Sequence, residues 1–277
     1  MKRLHRLAAL VLALALLLTL TVTAFAAEPK VVYVGTEAAY PPFNYTTQTG
    51  EVDGYDAAVI RAIDELIPEL TFEFVPTSWD SIFVALESGK FDIIANQINR
   101  NPAREEKYQF ANLPYSFAGN SIIFKAGRTD IKGIADLHGK IVAAGVGSYN
   151  TTWLEEYNAK NGNPITINYY DGNVSLILQD IISGRVDATL NSEVTTRLIA
   201  EELKLDLGYT LIDDTGITEQ YLLFSKSETA NEIKPLVDAA LKTLVESGKL
   251  GELSTQYLGA DYSTLDSVKA ILQAQMQ

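Results

Sequence analysis

Two stretches, SGKFDIIANQ at 88–97 and SGRVDATLNS at 183–192, follow one plan. Each has a helix-ending Ser-Gly, a basic residue, an apolar residue, Asp, a short β run and then two small polar residues. The match holds position for position, whereas SGKL at 247–250 has the first three letters without the strand. A correspondence of this length points to two related structural units. It lies inside a regular alternation. VVYVG (31–35) reads as a buried strand, DAAVIRAIDEL (56–66) as an amphipathic helix, TFEFV (71–75) as a strand, WDSIFVALES (79–88) as a helix closed by Gly89, and FDIIA as the next strand. A second series has strands NSIIFK (120–125), KIVAAG (140–145), ITINYY (165–170) and VDATL (186–190), with helices over 150–160, 174–183 and 193–203. This alternation predicts an α/β fold with mostly parallel sheets. No long Gly/Ser/Pro linker divides the series. Ligands of open α/β sheets sit beyond the carboxyl ends of strands, so the pairs Asn96/Gln97 and Asn191/Ser192 would face each other across a cleft.

The N-terminus carries Lys2, Arg3 and Arg6, then a leucine- and alanine-rich run from Leu7 to Leu18, then Ala24-Phe25-Ala26. That is the charged, apolar and small-x-small order of an export signal, cut after Ala26. The rival is an uncleaved anchor, since Thr19, Thr21 and Thr23 extend the apolar run to about the 20 residues that span a bilayer. Beyond it, a chain of 277 residues, 47% hydrophobic and 21% charged, has material for one large domain or two small ones. Loss of residues 1–26 removes three of the 22 basic residues and none of the 35 acidic ones, leaving a charge of −16. Nucleic acid and anionic lipid need a basic face and are poor partners for such a surface. The chain has no cysteine and two histidines, His5 in the signal and His138 in the polar loop DLHGK. This set supplies no disulfide, no lipid-modified cysteine, no ordinary zinc site and no Ser-His-Asp triad. Binding is favoured over catalysis, and His138 reads as an exposed loop residue.

The strand at 91–95 runs into Asn96, Gln97 and Asn99, then Asn-Pro at 101–102 starts a short helix bearing Arg104. An arginine there can meet a carboxylate with a planar two-donor fork, or pair on the surface with Glu105 or Glu106 for little gain. GVGSYN (145–150) joins a strand to a helix start, where glycines let backbone N–H groups approach an anion. It lacks the second half of a dinucleotide fingerprint and the lysine of a P-loop.

VGTEAAYPPFNY, GEVDGYDAAVIRAI, SWDSIFVALESGKFDIIANQ, REEKYQFANLPYS, ADLHGKIVAAGVGS and GRVDATLNS, in this order, resemble the periplasmic solute-binding proteins of ABC importers for polar amino acids, over about residues 31–260. Within them, WDSIFVAL, IIANQ and GVGSYNTTWL look most like the cystine-binding branch. The resemblance implies a type II venus-flytrap fold, with lobe 1 at 27–117 and 218–277 and lobe 2 at 118–217. The chain would cross between lobes near 116–120 and 214–220, and the helix around 228–247 would return to lobe 1. It implies a monomeric, exported receptor without cofactor that closes on an amino acid, L-cystine for this branch, and delivers it to permease subunits in the membrane.

By the same resemblance Arg104 clamps the ligand carboxylate. Tyr40 and Trp79 sandwich its side chain, which suits a disulfide or aliphatic stem. Asn96, Gln97 and Asn99 serve the zwitterion from lobe 1, and Gly147, Ser148, Tyr149, Asn191 and Ser192 serve it from lobe 2. Ser192 departs from the family, where an aspartate accepts from the α-ammonium; here the acid comes one place later, at Glu193. Loss of that charge removes about 1.5–3 kcal/mol of binding, and Glu37, at the family's acidic GTD position, compensates directly or through Asn191. Two other readings fit the scaffold: a cyclohexadienyl-dehydratase-like enzyme, and a membrane-anchored sensory domain.

Overall fold

The computed structural model describes residues 28–212 and 217–275. The export signal at 1–26, and the part of the second expected crossing at 214–216, lie outside these. In chain order the first half holds β1 (Lys30–Thr36), β2 (Ala39–Tyr40), β3 (Asn44–Thr46), β4 (Val52–Asp53), α1 (Tyr55–Asp64), β5 (Leu70–Pro76), α2 (Trp79–Glu87), β6 (Ile93–Asn99), α3 (Pro102–Lys107) and β7 (Gln109–Phe110). Then come β8 (Ser116–Lys125), β9 (Ile141–Gly145), α4 (Tyr149–Lys160), β10 (Thr166–Tyr170), α5 (Val174–Ser183), β11 (Ala188–Ser192), α6 (Glu193–Leu203) and β12 (Leu207–Leu211). β13 (Ile217–Phe224), α7 (Glu228–Glu246), α8 (Lys249–Leu258) and α9 (Leu265–Gln275) complete it.

The fold is α/β and two-lobed. Lobe 1 is built on the parallel strands β5, β1 and β6, and lobe 2 on the parallel strands β11, β9 and β10. Two antiparallel strands join them. β8 starts against β13, from Ser116↔Gln220 to Gly119↔Ile217, and continues against β11, from Asn120↔Ser192 to Phe124↔Ala188. β13 in turn pairs with β6 of lobe 1.

Each lobe is layered, because successive strand residues point to opposite faces. In β6, Ile93 joins a cluster with Val34, Tyr55, Val59, Val237 and Leu241, while its neighbour Ile94 joins Ile82, Leu86, Phe91 and Leu223. In β8, Ile122 packs with Val142, Leu154 and Leu190, and Ile123 with Ala143, Ile177 and Ile181. β1 departs from the fully buried strand expected. Val32 and Val34 are buried, but Val31 and Tyr33 on the other face are 37% and 43% exposed. The cluster that α2 forms on that face draws on β6, not on β1.

The duplicated segments take the same shape. Gly89 and Gly184 both follow a helix with positive φ, 75° and 78°, the left-handed turn that glycine adopts without penalty. His138 is exposed, with its Nε2 3.0 Å from the Tyr157 hydroxyl. No described helix is long and apolar enough to cross a membrane.

Candidate functional site

The carboxyl ends of β6 and β11 open onto one cavity between the lobes, with a volume of about 130 Å³. Glu37, Tyr40, Trp79, Asn96, Gln97, Asn99 and Arg104 line it from lobe 1, and Ser148, Tyr149 and Asn191 from lobe 2. Gly147 and Ser192, expected at the site, are not among the lining residues: Gly147 is exposed and Ser192 is buried.

Arg104 is placed by its own helix start. Pro102 sits in the first turn of α3, and the capping side chain of Asn101 accepts the Arg104 N–H at 2.8 Å, as expected for Asn before Pro. Arg104 is 8% exposed, and its guanidinium bonds inward and not to Glu105, which meets Arg100 instead. It donates to the Asn99 carbonyl at 2.9 Å and to the Gly147 carbonyl at 3.2 Å, and lies 4.9 Å from the Phe83 ring centre. Burial pulls its pKa down to about 10, so it stays cationic at neutral pH. Glu37 lines the same lobe-1 wall, and its N–H donates to Asn96 Oδ1 at 2.7 Å. Burial raises its pKa, against the Asn96 hydrogen bond and with added repulsion from Asp80. Among the described residues, Arg104 and Glu37 are the charged side chains on this wall.

Two aromatic rings flank the pair. Tyr40 stacks on Phe43 at 5.6 Å, and burial pushes its hydroxyl up to about 12. Trp79, the first residue of α2, meets Phe83 edge-on at 5.3 Å. Both rings also reach across: Tyr40 OH donates to Asn191 Oδ1 at 3.2 Å, and Trp79 Nε1 to the Val146 carbonyl at 3.0 Å. With Arg104 to Gly147, these make three hydrogen bonds from the lobe-1 lining residues to lobe 2 among the described residues. Gln97 occupies the left-handed region at φ 52°, and Asn99 spends its amide on the Glu219 carbonyl at 3.1 Å.

In lobe 2, Ser148 caps α4, its hydroxyl accepting the Thr151 N–H at 3.1 Å, so the start of this helix borders the cavity. Gly147 has φ 72° and offers its carbonyl to Arg104. Asn191 Oδ1 also accepts the Ser192 N–H at 2.7 Å. Ser192 Oγ is buried without a hydrogen-bond partner among the described residues. Glu193 points away from the cavity: its oxygens accept from Ser121 Oγ at 3.0 Å and Arg197 Nε at 2.7 Å. The acid next to Ser192 is therefore already engaged, and Glu37 is the carboxylate left facing the cavity.

The wall also includes Gly145, Asn150, Gly172, Val174, Ile177, Thr189 and Leu190, which pattern reading passed over. Asn150 and Thr189 had a signal, being inside the GVGSYN and VDATL motifs. Gly172 had none: it lies against the Trp79 ring, and its φ of 96° is one that favours glycine.

A cation, one acid, amides and the aromatic rings of Tyr40, Trp79 and Tyr149 around a cavity suit a small zwitterion with an apolar middle. Comparison with known proteins agrees in kind. Residues 32–260 match the family described as bacterial extracellular solute-binding proteins, family 3. The L-cystine-binding protein TcyJ of Bacillus subtilis (strain 168) is 32% identical over 240 residues, covering 85% of this chain and 87% of that protein. A structure from work on glutathione import in Gram-positive bacteria via GshT and the cystine ABC importer TcyBC of Streptococcus mutans aligns with a TM-score of 0.79 at 25% identity, covering 85% of this chain and 98% of that one. An ancestral amino acid-binding protein, a precursor of cyclohexadienyl dehydratase, aligns with a TM-score of 0.69 at 26% identity, over 82% of this chain and 95% of that one. Lobe architecture, crossing strands and sequence agree over the same span, and the chain belongs to the bacterial extracellular solute-binding proteins, family 3.

Proposed function

We propose that this chain is the exported receptor of an ABC importer, that it captures L-cystine between its lobes, and that it hands the ligand to permease subunits in the membrane. The observation that carries the reading is the presence of Arg104 and Glu37 together on one wall, with Tyr40 and Trp79 on the same wall. Arg104 takes a ligand carboxylate with its fork, and Glu37 takes the α-ammonium that Ser192 cannot. The rings hold the disulfide stem, where sulfur on an aromatic face is favourable. Asn96, Gln97 and Asn99 complete the polar contacts from lobe 1, and the N-terminus of α4 with Gly147, Ser148, Tyr149 and Asn191 does so from lobe 2. The cystine-binding name of the Bacillus subtilis relative supports the choice of ligand.

In this reading the lobe boundaries fall at 117/118 and 217/218, supported by the switch of β8 from β13 to β11. The protein works as a monomer and is released by cleavage after Ala26. It binds without turnover, supported by relatives that are themselves binding proteins, the ancestral one included. Titration calorimetry with L-cystine, other amino acids and prephenate, with product assayed in the same samples, tests it. L-cystine binding without prephenate turnover is expected; dehydration of prephenate would replace the receptor with an enzyme.

A further inference from the structure

Behind the lobe-1 wall lies a carboxylate held by neutral groups. Asp56, in the first turn of α1, is 1% exposed. Its Oδ2 accepts from Asn44 Nδ2 at 2.8 Å, and its Oδ1 from Gln97 Nε2 at 2.6 Å and from the Tyr115 hydroxyl at 2.9 Å. Burying a carboxylate without a cation is costly, and burial pushes this one up to about 6, against its three hydrogen bonds. Packing alone has no use for such a group.

Its partners lead to two unusual backbone turns. Asn44 Oδ1 accepts the Ala38 N–H at 3.0 Å, and Ala38 has φ 52°. Gln97, also at φ 52°, donates its backbone N–H to the Tyr115 hydroxyl at 3.0 Å. Residues other than glycine seldom adopt this region, and they keep it where their surroundings over-determine it. Ala38 follows Glu37 and leads into Tyr40, and Gln97 is itself on the wall. The hydrogen bonds also have a fixed direction. Asn44 accepts from Ala38 with its oxygen and so must donate with its nitrogen, which requires an acceptor at Asp56.

We propose that Asp56 is a positioning residue for the ligand: one carboxylate oxygen fixes the Asn44 amide, the other fixes Gln97 and Tyr115, and together they set the two left-handed turns that aim Glu37, Tyr40 and Gln97 into the cavity. The proposal rests on the receptor reading for what the wall binds, but not for how the wall is held.

Three variants at neutral pH test it. In Asp56→Asn the new amide oxygen still serves Gln97 and Tyr115, but its N–H faces the N–H of Asn44, which must rotate and withdraw its acceptor from Ala38. In Asn44→Asp two carboxylates meet. In the double variant the carboxylate at position 44 accepts from Ala38 and from the amide at position 56, whose oxygen accepts from Gln97 and Tyr115. Every bond is restored and the charge has moved by one residue. L-cystine affinity is measured by calorimetry, and backbone hydrogen exchange of residues 37–46 and 96–98 by mass spectrometry without ligand. Each single variant is expected to bind about 10-fold or more weaker and to exchange faster in those two segments, and the double variant to recover most of both. Wild-type affinity and exchange in Asp56→Asn, or a double variant no better than the singles, would overturn the proposal. If the wild type itself fails to bind L-cystine, the ligand reading fails, and the exchange measurements decide the role of Asp56 alone.

Discussion

The aspartate shared by the two duplicated segments makes the same pair of bonds in both lobes. Asp92 donates its N–H to the Tyr33 carbonyl at 2.9 Å and accepts the Tyr33 N–H on Oδ2 at 3.3 Å. Asp187 donates to the Ile141 carbonyl at 2.7 Å and accepts the Ile141 N–H on Oδ2 at 2.9 Å. Each ties the start of its strand to a parallel neighbour. The electrostatics differ. Burial raises Asp92, whereas at Asp187 burial is outweighed by the Ile141 N–H and by Arg128, 2.7 Å away, and the pKa is lowered. At the cavity the asymmetry reverses: lobe 1 presents Glu37 and Arg104, and lobe 2 presents amides, hydroxyls and a helix start. The scaffold is duplicated and the charge is not. In the proposed function, lobe 1 therefore recognises the zwitterion, while lobe 2 adds dipoles and the contacts that favour closure.

The largest break in this comparison comes from Arg104. Arg104→Ala removes the lobe-1 cation and should weaken ligand binding by about 2–5 kcal/mol, with the protein still folded by circular dichroism. Arg104→Lys should recover little, because an ammonium cannot reproduce the fork.

The next effect is read in pH. Asp56 is raised to about 6 from 3.8, so between those values the native state holds more protons than the unfolded one. Stability from this group falls as pH rises through the window, by about 3 kcal/mol in all. Asp187, lowered from 3.8, acts oppositely: its contribution is present above the ordinary carboxyl range and is lost as pH falls through its folded pKa. Urea unfolding across acid to neutral pH should show the fall with rising pH flattened in Asp56→Asn, whatever constant offset the substitution adds. Asp187→Asn should instead destabilise near neutrality and converge with wild type in acid.

A smaller effect separates two acids. Glu37→Gln should weaken L-cystine binding by about 1.5–3 kcal/mol at nearly unchanged melting temperature. Glu193→Gln should leave affinity nearly intact while lowering the melting temperature, since Glu193 serves Ser121 and Arg197. Exchange of these outcomes would put the ammonium site on lobe 2. The smallest change is at Ser192, whose hydroxyl is buried without a hydrogen-bond partner among the described residues. Ser192→Ala should keep affinity and alter stability by less than about 1 kcal/mol, measured by calorimetry and urea unfolding.

Local chemistry made much of this readable in the sequence. The helices at 174–183 and 193–203 have the bounds that the pattern predicts, because α5 starts at a capping Asn173 and ends at Gly184, and α6 follows directly from a strand. The strands containing FDIIA and VDATL begin two residues later than read, at Ile93 and Ala188, since Asp92 and Asp187 are used on their neighbours' amides. The motif residues that line the cavity carried their signal in strand ends and helix starts. Gly172, Val174 and Ile177 carried none, because their position depends on how the lobes meet. Asp56 read as one acid of an amphipathic helix; its burial follows from Asn44, Gln97 and Tyr115, distant in the chain and close in the fold.

The proposed receptor holds a disulfide-linked amino acid in its cavity, and the absence of cysteine from all 277 residues makes one test unusually clean. Thermal melting of the mature protein is followed with and without L-cystine, before and after a phosphine reductant. Ligand that binds the folded state raises the midpoint by mass action, and reduction splits cystine into two thiols that cannot span the same contacts. The account predicts a rise with L-cystine, loss of most of that rise with reductant, and no effect of reductant on the protein alone. A larger rise from glutamine, arginine or histidine, or no rise from L-cystine, would contradict it.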